Sequence, residues 1–255
     1  MRIAKSVFLI SCLAFSAGTA AAQTRSVDLE TVDGVVLKAS YSSPGKSGPG
    51  ILLFHQCSEN GSRRLWDGLA KDLVAAGFHV MTFDNRGFGE TGGRIPVPSP
   101  SPPARGAAGG SPLPGISGAS QFPPGDGIAA LTYLLAQQDV DRTRLAVGGS
   151  SCGATDAVDL AARRRDFRAV FMLSGLPSLG GKAYLAATPS LPVLGIYAQQ
   201  DFGADSMRSV IGGSRHPQST LKMFAGSGHG VELFQQHPDL QPATVKWLQD
   251  QVSKP

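Results

Sequence analysis

The chain has 255 residues, 42% of them hydrophobic and 16% charged, which is enough apolar material for the core of one large domain. Its net charge of +4 is spread thinly. The one basic run, Arg163-Arg164-Arg165, falls where a helix is expected to end, so no nucleic-acid-binding face is expected. No stretch reaches the roughly 18 continuous apolar residues of a membrane-spanning helix, so no stable membrane span is expected either.

Residues 1–22 have the pattern of a secretory leader. Arg2 and Lys5 give a positive start, Val7 to Ala17 an apolar centre, and Ala20-Ala21-Ala22 a small-residue cleavage motif. Leu9-Ile10-Ser11-Cys12 offers an alternative, a lipoprotein processing box, although only a few apolar residues precede it. Cleavage after Ala22 would direct residues 23–255 to the periplasm or the medium, and would leave two cysteines, Cys57 and Cys152.

The segments Ser26 to Thr31 and Val35 to Tyr41 alternate like strands across Asp33-Gly34, a hairpin signal. Gly50 to Phe54 reads as a buried strand. Leu65, Trp66, Leu69, Leu73 and Ala76 recur at helical spacing, and Gly77 supplies a left-handed stop. Phe78 to Phe83 is a strand, Gly127 to Gln137 a helix, Arg144 to Gly148 a strand and Cys152 to Arg163 a helix. Strands follow at Phe167 to Leu173, Leu191 to Ala198 and Thr220 to Phe224, then a helix from about Leu240 to Val252.

This alternation predicts an α/β fold: a mostly parallel sheet flanked by helices, with an antiparallel N-terminal hairpin. Arg94 to Gly125 stands apart, with nine of the 18 prolines and many glycines and serines. It reads as a flexible excursion from one domain, with an ordered substrate lid as the alternative.

Gly149-Ser150-Ser151-Cys152-Gly153 is a Gly-x-Ser-x-Gly pentapeptide at a predicted strand-to-helix junction. Such a turn holds its serine exposed beside the helix N-terminus, whose N–H groups favour developing negative charge. A serine nucleophile needs a base, and the base an orienting carboxylate, in chain order Ser, acid, His. Asp201 follows the Leu191 to Ala198 strand, with Asp205 as the local alternative. The other acid position, Ser174 to Ser178, has no carboxylate. His229 follows the last strand among small residues, whereas His55, His79, His216 and His237 fall in other contexts. Ser151, Asp201 and His229 are therefore the candidate catalytic residues. No His/Cys/Asp cluster has metal-ligand spacing, so neither a metal nor an organic cofactor is expected.

Phe54-His55 before a polar turn, Asp84-Asn85-Arg86-Gly87-Phe88-Gly89, the Ser151 pentapeptide, Asp201 and His229-Gly230 together resemble α/β-hydrolases, especially the dienelactone-hydrolase-like and S9-peptidase-like branches. The resemblance runs from about Ile51 to the C-terminus and implies the α/β-hydrolase fold. It implies buttressing roles for Asp84 and Arg86, and an oxyanion hole made by the Cys57 and Cys152 backbone N–H groups. Dienelactone hydrolases carry a cysteine where Ser151 stands, and the family's His-Gly turn is here His55-Gln56-Cys57. With both remaining cysteines carried to one hole, a Cys57–Cys152 disulfide becomes a hypothesis, with two free buried thiols as its alternative.

The function expected on these grounds is serine-dependent cleavage of a small-molecule ester, thioester or activated amide. The alternatives are a small-peptide peptidase and a non-catalytic exported binding protein on the same fold. Arg63, Trp66 and the Arg94 to Gly125 excursion are candidate substrate contacts, each equally readable as a packed or solvated feature.

Overall fold

A computed structural model describes residues 22–93 and 122–253. The leader-like residues up to 21 and most of the proline-rich excursion, 94–121, lie outside the described residues. One eight-stranded sheet runs in the order β1-β2-β4-β3-β5-β6-β7-β8. Its strands are β1 Gln23–Glu30, β2 Val36–Ser43, β3 Gly48–Phe54, β4 His79–Phe83, β5 Val140–Ser150, β6 Phe167–Leu173, β7 Val193–Ala198 and β8 Thr220–Phe224. β2 pairs antiparallel with both β1 and β4, and every later pairing is parallel. The expected fold is the one observed, hairpin included. Gly34 at its turn takes φ 81°, a conformation that costs a residue without Cβ little.

Helices α1 Asp67–Ala75, α2 Pro124–Leu135, α3 Cys152–Arg164, α4 Leu179–Ala187, α5 Ala204–Gly213, α6 Glu232–Gln236 and α7 Leu240–Val252 cover both faces of the sheet. Because side chains alternate along a strand, β3 feeds two cores. Leu52 and Phe54 enter the core that α2 and α3 cover, while Ile51 and Leu53 enter the one that α1 and α7 cover. The second core continues under the β5 strand end. Phe171 meets Trp66 edge-on at 5.9 Å, and its ring would lie 2.0 Å from a Cβ at Gly148. Glycine at 148 is thus what lets an aromatic ring seat against β5.

Several boundaries differ from expectation. α2 begins at Pro124, inside the segment read as an excursion, because proline suits the first helical turn. α4 was not anticipated, since Gly180-Gly181 reads as a breaker. Ser178 caps this helix by accepting from Gly181 N at 2.9 Å, and a Cβ at Gly181 would lie 2.8 Å from Val158 of α3. That glycine serves helix packing. The five-residue α6 is too short to leave a periodic signal. No helix among the described residues is long and apolar enough to cross a membrane.

Candidate active site

The β5–α3 junction is tight and strained. Ser151, the N-cap of α3, has φ 53° and ψ −123°, a region that residues with a side chain rarely enter. The neighbouring glycines make the turn possible. A Cβ at Gly149 would lie 2.1 Å from the Gly153 carbonyl oxygen, and one at Gly153 would lie 2.4 Å from that of His55. Ser151 N donates to Leu173 O at 2.8 Å, fastening the turn to the end of β6. The serine is left half-buried at the C-terminal edge of the sheet, where crevices of open α/β sheets form.

His229 and Asp201 come together there. His229 Nδ1 bonds Asp201 Oδ1 at 2.8 Å, with the carboxylate side chain only 5% exposed and the imidazole 43%. A carboxylate accepts, so the shared proton sits on Nδ1 and the Nε2 lone pair is free to take another. The bond to Asp201 is the main cause raising the His229 pKa, partly opposed by burial. Asp205, the alternative acid, is instead fully exposed and faces Arg208 at 3.6 Å. Among the described residues no hydrogen bond joins Ser151 to His229, although in ligand-free sites such bonds often tighten only with substrate.

The two cysteines meet at the same edge. Cys57 and Cys152 form a disulfide with Cα atoms 5.8 Å apart, so the hypothesised pairing is present. Cys152 opens α3 and Cys57 lies in the loop after β3. Neither backbone N–H donates to a protein acceptor among the described residues. The loop after β3 is pinned by His55, which is wholly buried. Its Nε2 lies 3.0 Å from Asn85 N, which can only donate, so Nε2 accepts and Nδ1 donates to Gln56 O at 2.8 Å. Burial lowers the His55 pKa, consistent with a neutral ring.

Asp84 and Arg86 occupy the buttressing places that the resemblance implies. Asp84 is completely buried. Its carboxylate accepts from Arg63 N at 2.6 Å, from the Arg63 guanidinium and from Glu90 N at 2.8 Å. Arg86 bridges Asp126 of α2 and Asp33 of the N-terminal hairpin. For Arg63 and Trp66 the structure decides between substrate contact and packed residue in favour of packing. Arg63 is 3% exposed and consumed by Asp84 and Glu90, and Trp66 is 0% exposed in the core, so neither is available to a substrate.

Gln56 is the residue whose part the sequence did not reveal, beyond its departure from the His-Gly pattern. Its side chain accepts from Ser150 Oγ at 3.1 Å and from Val231 N at 3.2 Å. Those partners are 94 and 175 residues away along the chain, so no local signal could announce them. Beside Asp201 a cavity of about 380 Å³ opens, with Leu176 and Phe202 on its wall together with the polar Gln199, Gln200, Asp205 and Ser206. Phe202 is 62% exposed there, an uncovered aromatic surface next to the candidate acid. No group of three or more His, Cys, Asp or Glu able to hold a metal occurs among the described residues.

No protein-family model matches the chain. Two strain versions of an uncharacterized Mycobacterium tuberculosis protein are 36% identical to it over 143 residues, 55% of this chain and 42% of theirs. The chain thus spans less than half the length of the curated relatives it matches. Among solved structures, an esterase of Pyrococcus furiosus superposes with a TM-score of 0.66 at 15% identity, covering 91% of this chain and 93% of its own. A predicted CIB-like hydrolase from Thermoplasma acidophilum gives 0.63 at 15%, covering 90% and 100%. A cold-adapted esterase from an Arctic intertidal metagenomic library gives 0.62 at 20%, covering 91% and 94%. These likenesses cover about nine-tenths of the chain, and the chain has the α/β-hydrolase fold.

Proposed function

We propose that this protein is an exported serine hydrolase that cleaves a carboxylic ester, a thioester or an activated amide through Ser151, His229 and Asp201. The observation that carries the reading is the 2.8 Å bond from His229 Nδ1 to a nearly buried Asp201, at the sheet edge where Ser151 is held at φ 53°. Holding Nδ1 protonated leaves Nε2 basic, which is the state a serine needs in its base.

In this mechanism Ser151 Oγ bonds to the carbonyl carbon while Nε2 takes its proton. The carbonyl electron pair moves to oxygen, and that oxyanion accepts from the Cys57 and Cys152 N–H groups. Such donors are already oriented and need no reorganisation as charge develops. Collapse breaks the bond to the leaving group, which takes the proton from the imidazolium. Water then repeats the sequence on the acyl-enzyme, releasing the acid and restoring Ser151. Asp201 stabilises the imidazolium in both halves.

The substrate class is read from the chemistry of the three residues alone, a carbonyl that a serine can acylate and water can release. The esterase and hydrolase descriptions of the structural neighbours agree with this class. Export is supported by the leader pattern of residues 1–22 and by the disulfide, a bond that persists in oxidising compartments.

Fluorophosphonate labelling with peptide mapping tests the mechanism. Modification confined to Ser151, and lost in Ser151→Ala, is the expected result. Folded protein that takes up no label would overturn it.

A further inference from the structure

We infer that the Gln56 carboxamide is a positioning residue that sets the base against the nucleophile and the oxyanion donors; the inference rests on the hydrolase reading above. Each group it touches adjoins a residue assigned to the chemistry. Gln56 precedes the donor Cys57. Its Oε1 accepts from the hydroxyl of Ser150, which precedes the nucleophile, and from N–H of Val231, two residues beyond the base. Its Nε2 donates to Ser58 Oγ at 3.3 Å, fixing which end of the amide faces the other two loops.

The three loops are tied together unequally. The loop after β3 is fastened to α3 by the Cys57–Cys152 disulfide, and its main chain by His55 to Asn85. The base loop is fastened to the acid loop by His229 to Asp201, and by Gln200 N to Gly226 O at 2.9 Å. The molecule therefore holds a nucleophile-and-donor block and a base-and-acid block. Among the described residues, the hydrogen bond between residues 225–231 and the first block is the one from Val231 N to Gln56 Oε1. The β5 to β8 ladder sets the strand ends from which both blocks project, and within that frame Gln56 makes the direct hydrogen-bonded link between the base loop and the nucleophile side.

The fit around that side chain is close. Gln56 is 8% exposed and Ser150 is 0% exposed. Gly230, at φ 62°, leaves the space that Oε1 fills: a Cβ there would lie 2.1 Å from Oε1 and 2.8 Å from Ser150 Oγ. One oxygen accepting two buried donors cannot be replaced by water without room that this packing lacks. Misplacement of a reacting pair by about 1 Å can cost on the order of 100-fold in rate, so a small slip between the blocks would be read directly in turnover.

The test uses the full chain, p-nitrophenyl butyrate as the probe substrate and a fluorophosphonate to count active sites. Gln56→Met keeps the length and removes both the acceptor and the donor. It is expected to lower kcat per titrated site by about 10- to 100-fold, with KM moved less than about threefold. Ser150→Ala, which removes one of the two accepted bonds and leaves the Val231 tie, is expected to fall in the same direction by a smaller factor.

Counting per titrated site separates positioning from folding, because a merely structural role would reduce the number of sites and leave the rate of each unchanged. Per-site kcat within about twofold of wild type in Gln56→Met, or in Gln56→Ala should Gln56→Met not fold, overturns the tie while leaving the hydrolase reading intact. A wild-type protein that neither takes label nor hydrolyses the ester overturns the hydrolase reading and this inference with it.

Discussion

Cys57 and Cys152 are joined by a disulfide that brings the loop after β3 and the N-terminus of α3 to a Cα separation of 5.8 Å. The two backbone N–H groups proposed to bind the oxyanion thus belong to covalently bonded residues. Their relative position is held by that bond in addition to the buried His55, which bonds Asn85 N and Gln56 O.

Reducing that bond is expected to impair both stability and turnover. The cysteines are 95 residues apart, and a closed loop of that size is worth about 4–5 kcal/mol in the chain-entropy model. Incubation with a phosphine reductant, followed by thiol counting, thermal melting and ester turnover, should show a lower Tm and at least about a tenfold loss of kcat. Unchanged kcat in fully reduced, folded protein would mean that the donors hold their places without it.

The pH dependence follows from the His229–Asp201 bond. Because that bond raises the His229 pKa, the neutral base forms only at higher pH. The acidic limb of kcat/KM is therefore expected above the ordinary histidine value of about 6.5. Asp201→Asn removes the cause, so the limb should move downward while kcat falls by several orders of magnitude. For stability the sign runs the other way. The raised pKa favours folded protein below the unfolded-state pKa, and that contribution is lost as pH rises through the folded-state value. A limb that stays in place in Asp201→Asn would disconnect the pair from the titration.

Asp84→Asn should be a folding variant more than a catalytic one. It strips the charge from a wholly buried carboxylate and leaves Arg63, itself 3% exposed, without its closest counter-ion. Breaking one side of such a pair costs about 3–5 kcal/mol, readable as a shifted urea midpoint. A midpoint equal to that of wild type would show that Glu90, the other carboxylate on Arg63, is a sufficient partner.

Tyr197→Phe offers the opposite sign. The Tyr197 hydroxyl is buried and has no hydrogen-bond partner among the described residues, and burial followed by the nearby Asp201 charge pushes its pKa up. Removing an unpartnered buried hydroxyl is expected to leave stability unchanged or raise it by up to about 1 kcal/mol. A loss of more than about 1 kcal/mol in denaturant unfolding would reveal a bond, through water, that the side chain depends on.

Much of this molecule was legible from local pattern. Alternation and helical spacing gave the strand order of events along the chain, with β6 and β8 found at their observed limits. The elbow could be read because most of its geometry is local: Gly149 is demanded by the Gly153 carbonyl of the same turn, although Gly153 itself answers to His55 on the neighbouring β3 side. Asp201 and His229 could be nominated because each follows a strand, and parallel strands deliver their C-terminal loops to one edge.

What the tertiary structure decided was contact between residues far apart in the chain. Arg63 and Trp66 could be read from the sequence either as substrate contacts or as packed residues, and packing decides for the second, Arg63 against Asp84 and Trp66 against Phe171. Gly181 of α4 is a glycine because Val158 of α3 lies close enough to exclude a Cβ, a fact absent from the helix's own residues. Gln56 means nothing in its own loop and acquires its role only where Ser150 and Val231 arrive beside it. Backbone geometry is written within a few residues, whereas the partners of a buried polar side chain are chosen by the fold.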